Sequence, residues 1–157
     1  MLQPSPDAVD ARIDYSAQDS IVIFGNGAAE LFGKSDVTYK TINLKADYMR
    51  VKMDSSTIYA AGVRDSAGDL QGIPKFSDNG QEYESNELTY NLKTKRGYIR
   101  HAVTQQGDGY IISEQTKRNN DGVLTMAKGK YTTCDDHDNP HFYLALTKAK
   151  VKPGKYI

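Results

Sequence analysis

The amino-acid sequence predicts an all-β fold of short antiparallel strands, arranged as a sandwich, roll or barrel, and three features carry that expectation. The chain has no Trp and only four Phe but eleven Tyr, many at alternating positions beside Thr, Val and Ile, as in half-buried pleated strands. Turn-forming clusters follow one another every 8 to 14 residues: Asp54-Ser55-Ser56, Asp65-Ser66-Ala67-Gly68, Asp78-Asn79-Gly80, Thr94-Lys95-Arg96-Gly97, Gly107-Asp108-Gly109 and Asn119-Asn120-Asp121-Gly122. The stretch Leu44 to Val63, two strands joined by a turn, is replayed 39 positions later from Tyr83 to Ala102. Ala46 is matched by Ser85, Met49 by Leu88, Val51 by Tyr90, Met53 by Leu92 and Tyr59 by Tyr98. Weaker echoes lie 28 residues before the first copy, where Asp19 to Ile23 stands for Asp47 to Val51, and 28 after the second, around Ser113-Glu114.

In chain order, Ile21-Val22-Ile23-Phe24 is an apolar run stopped by Gly25-Asn26-Gly27, a strand and its turn. Ala28 to Phe32 has a slight helical flavour, too short to form an element. Asp36 to Leu44 alternates polar and apolar over nine residues, the period of a strand with one buried face. Between Leu44 and Met53 that alternation changes phase: Leu44 and Ala46 share one face, and Met49, Val51 and Met53 share the other. The same slip separates Tyr83 and Ser85 from Leu88, Tyr90 and Leu92. A repeated slip predicts a bulge or corner at which a strand passes between two sheets. Arg64 to Ser77, with Pro74, reads as a longer excursion. Lys130 to Thr133 and Phe142 to Ala145 read as strands on either side of a loop.

A length of 157 residues corresponds to one domain able to bury roughly two-thirds of its unfolded surface. The expected organisation is a flexible lead-in over residues 1–12 and a single domain over 13–157. Lys plus Arg and Asp plus Glu balance at 20 each, so no global field favours nucleic acid or an anionic membrane surface. No apolar run approaches the roughly 18 residues of a membrane span, and Met1 to Asp10 lacks the basic start and apolar centre of a signal peptide. The sequence then fits either a cytoplasmic protein or a chain given without its export signal. Cys134 is the sole cysteine, which rules out an internal disulfide.

The densest polar cluster, Cys134-Asp135-Asp136-His137-Asp138-Asn139-Pro140-His141, offers metal-ligating groups but no second ligand pair at a recognised spacing. Asp-Asn-Pro there is equally a solvated loop between strands. Nucleophilic catalysis would need Cys134 or a serine held against His101 or His141 with an orienting acid, and the scattered histidines do not supply that pattern. Gly107-Asp108-Gly109 lacks the strand-to-helix setting of a phosphate loop. No catalytic residue, metal or cofactor is therefore assigned. Tyr39, Tyr48, Tyr59, Tyr83, Tyr90, Tyr98, Tyr110, Tyr131 and Tyr143 read as half-buried strand positions or as sugar-stacking platforms. An inward-facing aliphatic set comprises Ile21, Ile23, Leu44, Met49, Val51, Met53, Ile58, Leu88, Leu92, Ile99, Ile112, Leu124, Met126 and Leu144. It forms either a closed core or an open groove for acyl chains.

The phrase Leu-Lys-Ala-Asp-Tyr-Met-Arg-Val at 44–51, its echoes, and Ala60-Ala61-Gly62-Val63 resemble the repeat of the OstA-like periplasmic proteins of lipopolysaccharide transport. That family includes LptA, LptC and the amino-terminal domain of LptD. Asn86 to Gly97, and above all Gly129-Lys130-Tyr131-Thr132-Thr133-Cys134 with Pro140-His141-Phe142-Tyr143, resemble the boundary of the LptD periplasmic domain in its Bacteroidetes form. The resemblance spans about Asp14 to Gly154.

It implies a twisted, V-shaped antiparallel β-jelly roll whose interior shields the acyl chains of lipopolysaccharide or lipid A, with the aliphatic set above as groove positions. It further implies docking to an LptA-like bridge protein by β-strand addition, at the periplasmic face of the outer membrane, beside the protein's own or an associated barrel. In relatives the cysteine matched by Cys134 pairs with a barrel cysteine. No enzymatic activity is implied. The alternatives are a free-standing LptA-like bridge component and a carbohydrate-binding or metal-dependent β-sandwich.

Overall fold

The computed structural model describes residues 11–152. Residues 1–10 of the expected lead-in and 153–157 of the expected domain lie outside the described residues. The described chain is all strand and turn. In order it forms β1 (Ile13–Ser16), β2 (Ser20–Ile23), β3 (Ala28–Tyr39), β4 (Ile42–Lys52), β5 (Thr57–Ala61), β6 (Val63–Arg64) and β7 (Leu70–Gln71). There follow β8 (Lys75–Asp78), β9 (Gln81–Glu84), β10 (Glu87–Asn91), β11 (Arg96–Gln106), β12 (Gly109–Arg118), β13 (Leu124–Thr132) and β14 (Leu144–Val151).

All pairings are antiparallel, and apart from the small β6–β7 hairpin the strands join one 12-stranded sheet. The long strands cross a common crease, and the sheet folds over along it. On one side lie β2, β5, β10 and the parts of β3, β4, β11, β12, β13 and β14 nearest them; on the other lie β1, β8, β9 and the remaining parts. The two leaves face each other across the core. Phe76 of β8 meets Tyr90 of β10 across the interior with ring centroids 5.2 Å apart.

The phase slip read from the sequence is this crease. In β4 the buried residues Leu44 and Ala46 give way to Met49 and Val51, with Asp47 and Tyr48 unburied between them. Ser85 and Leu88 straddle Asn86 and Glu87 in the same way. Pairing is interrupted at matching places in every neighbour: at Gly33 and Lys34 in β3, His101 in β11, Glu114 in β12 and Lys128 in β13. Lys34, His101 and Lys128 adopt φ of 44°, 52° and 53°, the left-handed turn that swings the strand over. Asp19, Asp47, Asn86 and Glu114, related by the 28- and 39-residue offsets of the repeat, thus fall on one line.

Three sequence expectations change. Ala28 to Phe32 is extended, the start of β3, because its alternation of Ala29 and Leu31 against β2 and β4 is satisfied by pairing on both sides. Asp36 to Leu44 is a hairpin: Lys40, at φ 53°, and Thr41 form a two-residue turn that sets Tyr39 opposite Ile42. Alternation shifts phase there, with Lys40 and Thr41 both exposed between buried Tyr39 and Ile42, but neither turn residue is a Gly, Asn or Pro that would mark the turn. The excursion after Arg64 ends at Pro74, since Lys75–Asp78 is β8, paired with β4 and β9.

Candidate functional site

The interior between the leaves is the largest apolar feature, and it consists of two clusters. The larger joins Leu31, Val37, Tyr39, Leu44, Met49, Val51, Ile58, Phe76, Leu88, Tyr90, Leu92 and Ile99 with their neighbours. The smaller joins Ile111, Leu124, Met126 and Val151, with Tyr131, Leu146 and Ala149 against them. Polar or small residues on the intervening strands separate the two: Thr104, Ser113, Thr116 and Arg118 are all buried. Ser113 is satisfied across the crease, donating to the Gln115 and Ala127 carbonyls at 2.8 and 3.1 Å. Thr116 Oγ1, Ser35 Oγ and the Tyr83 hydroxyl are buried and have no hydrogen-bond partner among the described residues.

Of the aliphatic set expected to face inward, Leu44, Met49, Val51, Ile58, Leu88, Leu92 and Ile99 lie in the larger cluster and Leu124 and Met126 in the smaller. Four do not face inward. Ile21, Ile23, Met53 and Leu144 are 39%, 71%, 41% and 66% exposed, because β2, the β4–β5 turn and the start of β14 lie at the margins where no opposite leaf covers them. Ile112 is buried, but alternation in β12 puts it on the face opposite Ile111. On that outer face the His137 ring packs 4.1 Å from Tyr110. The sequence set omitted Leu31, Phe76 and Ile111, all buried; their alternation with neighbouring polar residues was the available signal.

One end of the interior carries a buried ion pair. Arg118, at the end of β12, donates from Nη2 to Asp78 Oδ2 at 2.7 Å and from Nη1 to the Lys95 carbonyl and the Tyr90 hydroxyl at 3.2 and 3.4 Å. Its guanidinium also lies 5.3 Å from the centre of the Phe76 ring and 5.7 Å from that of Tyr90. Burial holds the Tyr83 and Tyr90 phenols well above the usual tyrosine range.

The loop from 133 to 143 gathers the cluster first read as a metal candidate or solvated turn. Asp138 lies 3.5 Å from His101, Asn139 N–H donates to Asp136 at 3.1 Å, and Thr132 Oγ1 donates to the Phe142 carbonyl at 2.7 Å. Among the described residues no three His, Cys, Asp or Glu converge as metal ligands would.

No family model matches the chain. It is 23% identical over 128 residues to the LPS-assembly protein LptD of Acinetobacter baylyi, covering 80% of this chain and 14% of that protein. The fold matches the crystal structure of LptH from Pseudomonas aeruginosa, described as the LptA-homologous periplasmic component of the lipopolysaccharide transport device. That match has a TM-score of 0.62 at 14% identity and covers 94% of this chain and 100% of LptH. The chain therefore has the β-jelly-roll fold of that LptA-homologous protein.

Among the described residues both lateral margins of this β-jelly roll are sheet edges, β1 and β2 on one side and β14 on the other. Each carries exposed apolar side chains: Ile21, Val22, Ile23 and Phe24 on the first, Phe142, Tyr143 and Leu144 near the second. Cys134 is a free, partly covered thiol whose N–H donates to Thr132 Oγ1 at 3.0 Å, at the start of the loop that leads to the second edge.

Proposed function

We propose that this domain is a non-enzymatic carrier in lipopolysaccharide transport and outer-membrane assembly, working in the periplasm at the outer membrane and shielding acyl chains between its leaves. The observation that carries the reading is the long apolar interior, lined by Met49, Leu88, Ile99, Leu124 and Met126 and bounded by a sheet that is folded over rather than closed into a barrel. Each methylene transferred from water into it contributes about 0.8 kcal/mol, so a few acyl chains outweigh the cost of parting side chains that now touch.

The edge strands supply the second half of the reading. Among the described residues β1, β2 and β14 have no further strand on their outer side, and their outward N–H and C=O groups, with apolar side chains beside them, accept a strand from an LptA-like roll. A covalent link from Cys134 to an own or associated barrel belongs to the same picture, as does the extent of the single domain over 13–157. The chain spans 14% of the LptD relative; the second reading is a free-standing LptA-like bridge component, for which the fold match to LptH speaks.

Photo-crosslinking residues at Met49, Leu88 and Met126 test the carrier reading, with Lys117 on the exposed outer face of β12 as control. Labelling of lipid A at the three interior positions well above Lys117 is expected. Equal labelling at all four positions overturns it.

A further inference from the structure

Arg118 and Asp78 stand 40 residues apart in sequence, on opposite leaves, and their side chains are only 6% and 16% exposed. Other ion pairs of the molecule, such as Lys75–Glu84 and Arg100–Glu87, join residues of one leaf and are far more exposed. The pair sits where the turns at the ends of both leaves converge. Thr41, in the β3–β4 turn, donates to Asp78 at 2.7 Å, and Lys95, in the β10–β11 turn, gives its carbonyl to Arg118. Beside them runs a slit of about 290 Å³, bounded by Lys40, Gln81 and Asn120 outside and by Tyr39, Ile42 and Tyr90 toward the core.

A buried ion pair is a costly way to fill such a place, since desolvation cancels much of the attraction and an apolar pair of similar size holds as well or better. What charge adds is exchangeability. A guanidinium binds a phosphate as readily as a carboxylate, and Arg118 holds Asp78 by one hydrogen bond from Nη2, which a phosphate oxygen can replace. The slit meets Tyr90, and behind Arg118, whose guanidinium lies over both rings, Phe76 continues from Tyr90 into the larger apolar cluster. A molecule with a phosphate at the end of an acyl-bearing body presents charge and hydrocarbon in the matching order.

We propose that Arg118–Asp78 is a latch across the free margin of the folded sheet, released when the phosphate of an anionic amphiphile replaces Asp78 on Arg118 while its acyl chains pass into the slit. The proposal rests on the carrier reading and adds the chemistry of admission to it. Asp78→Asn keeps the shape of the latch and removes its charge, and Arg118→Met keeps the apolar stem.

The test uses stopped-flow uptake of a pyrene-labelled dodecyl phosphate and of the corresponding uncharged alcohol. Wild type is expected to take up the phosphate faster than the alcohol. Asp78→Asn should raise both rates at least fivefold, and the double variant Asp78→Asn/Arg118→Met should lose the preference for phosphate. Rates within twofold of wild type in both variants overturn the proposal.

Amide hydrogen exchange, which needs no lipid, separates the two readings. Faster exchange in Asp78→Asn confined to 40–42, 78–81 and 119–122 shows that the pair holds this margin shut; if no probe is then taken up by any variant, the carrier reading falls and admission of a phosphate falls with it, whereas uptake without a phosphate preference overturns the latch alone. Uniformly faster exchange over both leaves makes the pair a plain stabilising contact and overturns the latch.

Discussion

The Asp47 carboxylate accepts the backbone N–H of Lys34 at 3.2 Å across the crease, opposite the bulge formed by Gly33 and Lys34. Asp47 N–H in turn donates to the Gly72 carbonyl at 2.8 Å. One residue of the repeat therefore ties β3, β4 and the segment before β8 at the point where the strand turns over. Asp47→Ala removes the acceptor and leaves the Lys34 N–H to water. A loss of about 1 to 2 kcal/mol is expected in urea unfolding, with the m-value unchanged.

Gly72 lies directly beneath that carboxylate. At φ +57°, a Cβ built on it would stand 1.9 Å from Asp47 Cγ. Gly72→Ala is expected to cost more than about 2 kcal/mol, part left-handed strain and part collision. In Asp47→Ala/Gly72→Ala the collision is gone, so the double variant should be more stable than the sum of the single losses. Strict additivity in thermal melts would show that the carboxylate is not what Gly72 accommodates.

Tyr83 stacks on Phe76 at 4.8 Å and buries a hydroxyl that finds no partner among the described residues. Tyr83→Phe removes an unsatisfied polar group without changing shape, and a gain of up to about 1 kcal/mol at neutral pH is expected.

The same burial sets the response to alkali. Because the folded phenols of Tyr83 and Tyr90 titrate above the unfolded value, their contribution is fully present below about pH 10 and is lost as pH rises toward the folded values. The urea midpoint should fall from about pH 10 upward, and less steeply in Tyr83→Phe than in wild type. A midpoint independent of pH between 9 and about 11 contradicts this burial.

Interior and margin separate cleanly by substitution. Met49→Ala, at a fully buried position, should cost about 2 to 5 kcal/mol. Ile23→Asp and Leu144→Asp, at exposed edge positions, should change stability by less than about 0.5 kcal/mol. If the edges dock other rolls, the same edge variants weaken co-purification with an LptA-like partner while leaving the melting curve in place.

Much of this fold is legible in the sequence because it rests on local periodicity. Alternation places the strands, the turn clusters end them, and the displaced phase at Asp47 and Asn86 marks the crease before any coordinates are known. Turn chemistry was less legible where the turn residues were ordinary. Lys40-Thr41 carries no Gly, Asn or Pro signal, and the hairpin there looked like one strand.

The sequence by itself determined the β class, the repeated strand pair and the corner within it, because side-chain alternation and backbone turns are properties of neighbours along the chain. Tertiary structure alone decided which apolar residues are covered. Ile23 and Met49 are equally apolar strand positions, yet one faces solvent at an edge and the other faces the opposite leaf. It also decided that Arg118 meets Asp78. Neither residue announces the other in the sequence, because their contact exists only once the sheet has folded along its crease and brought distant turns to a common margin.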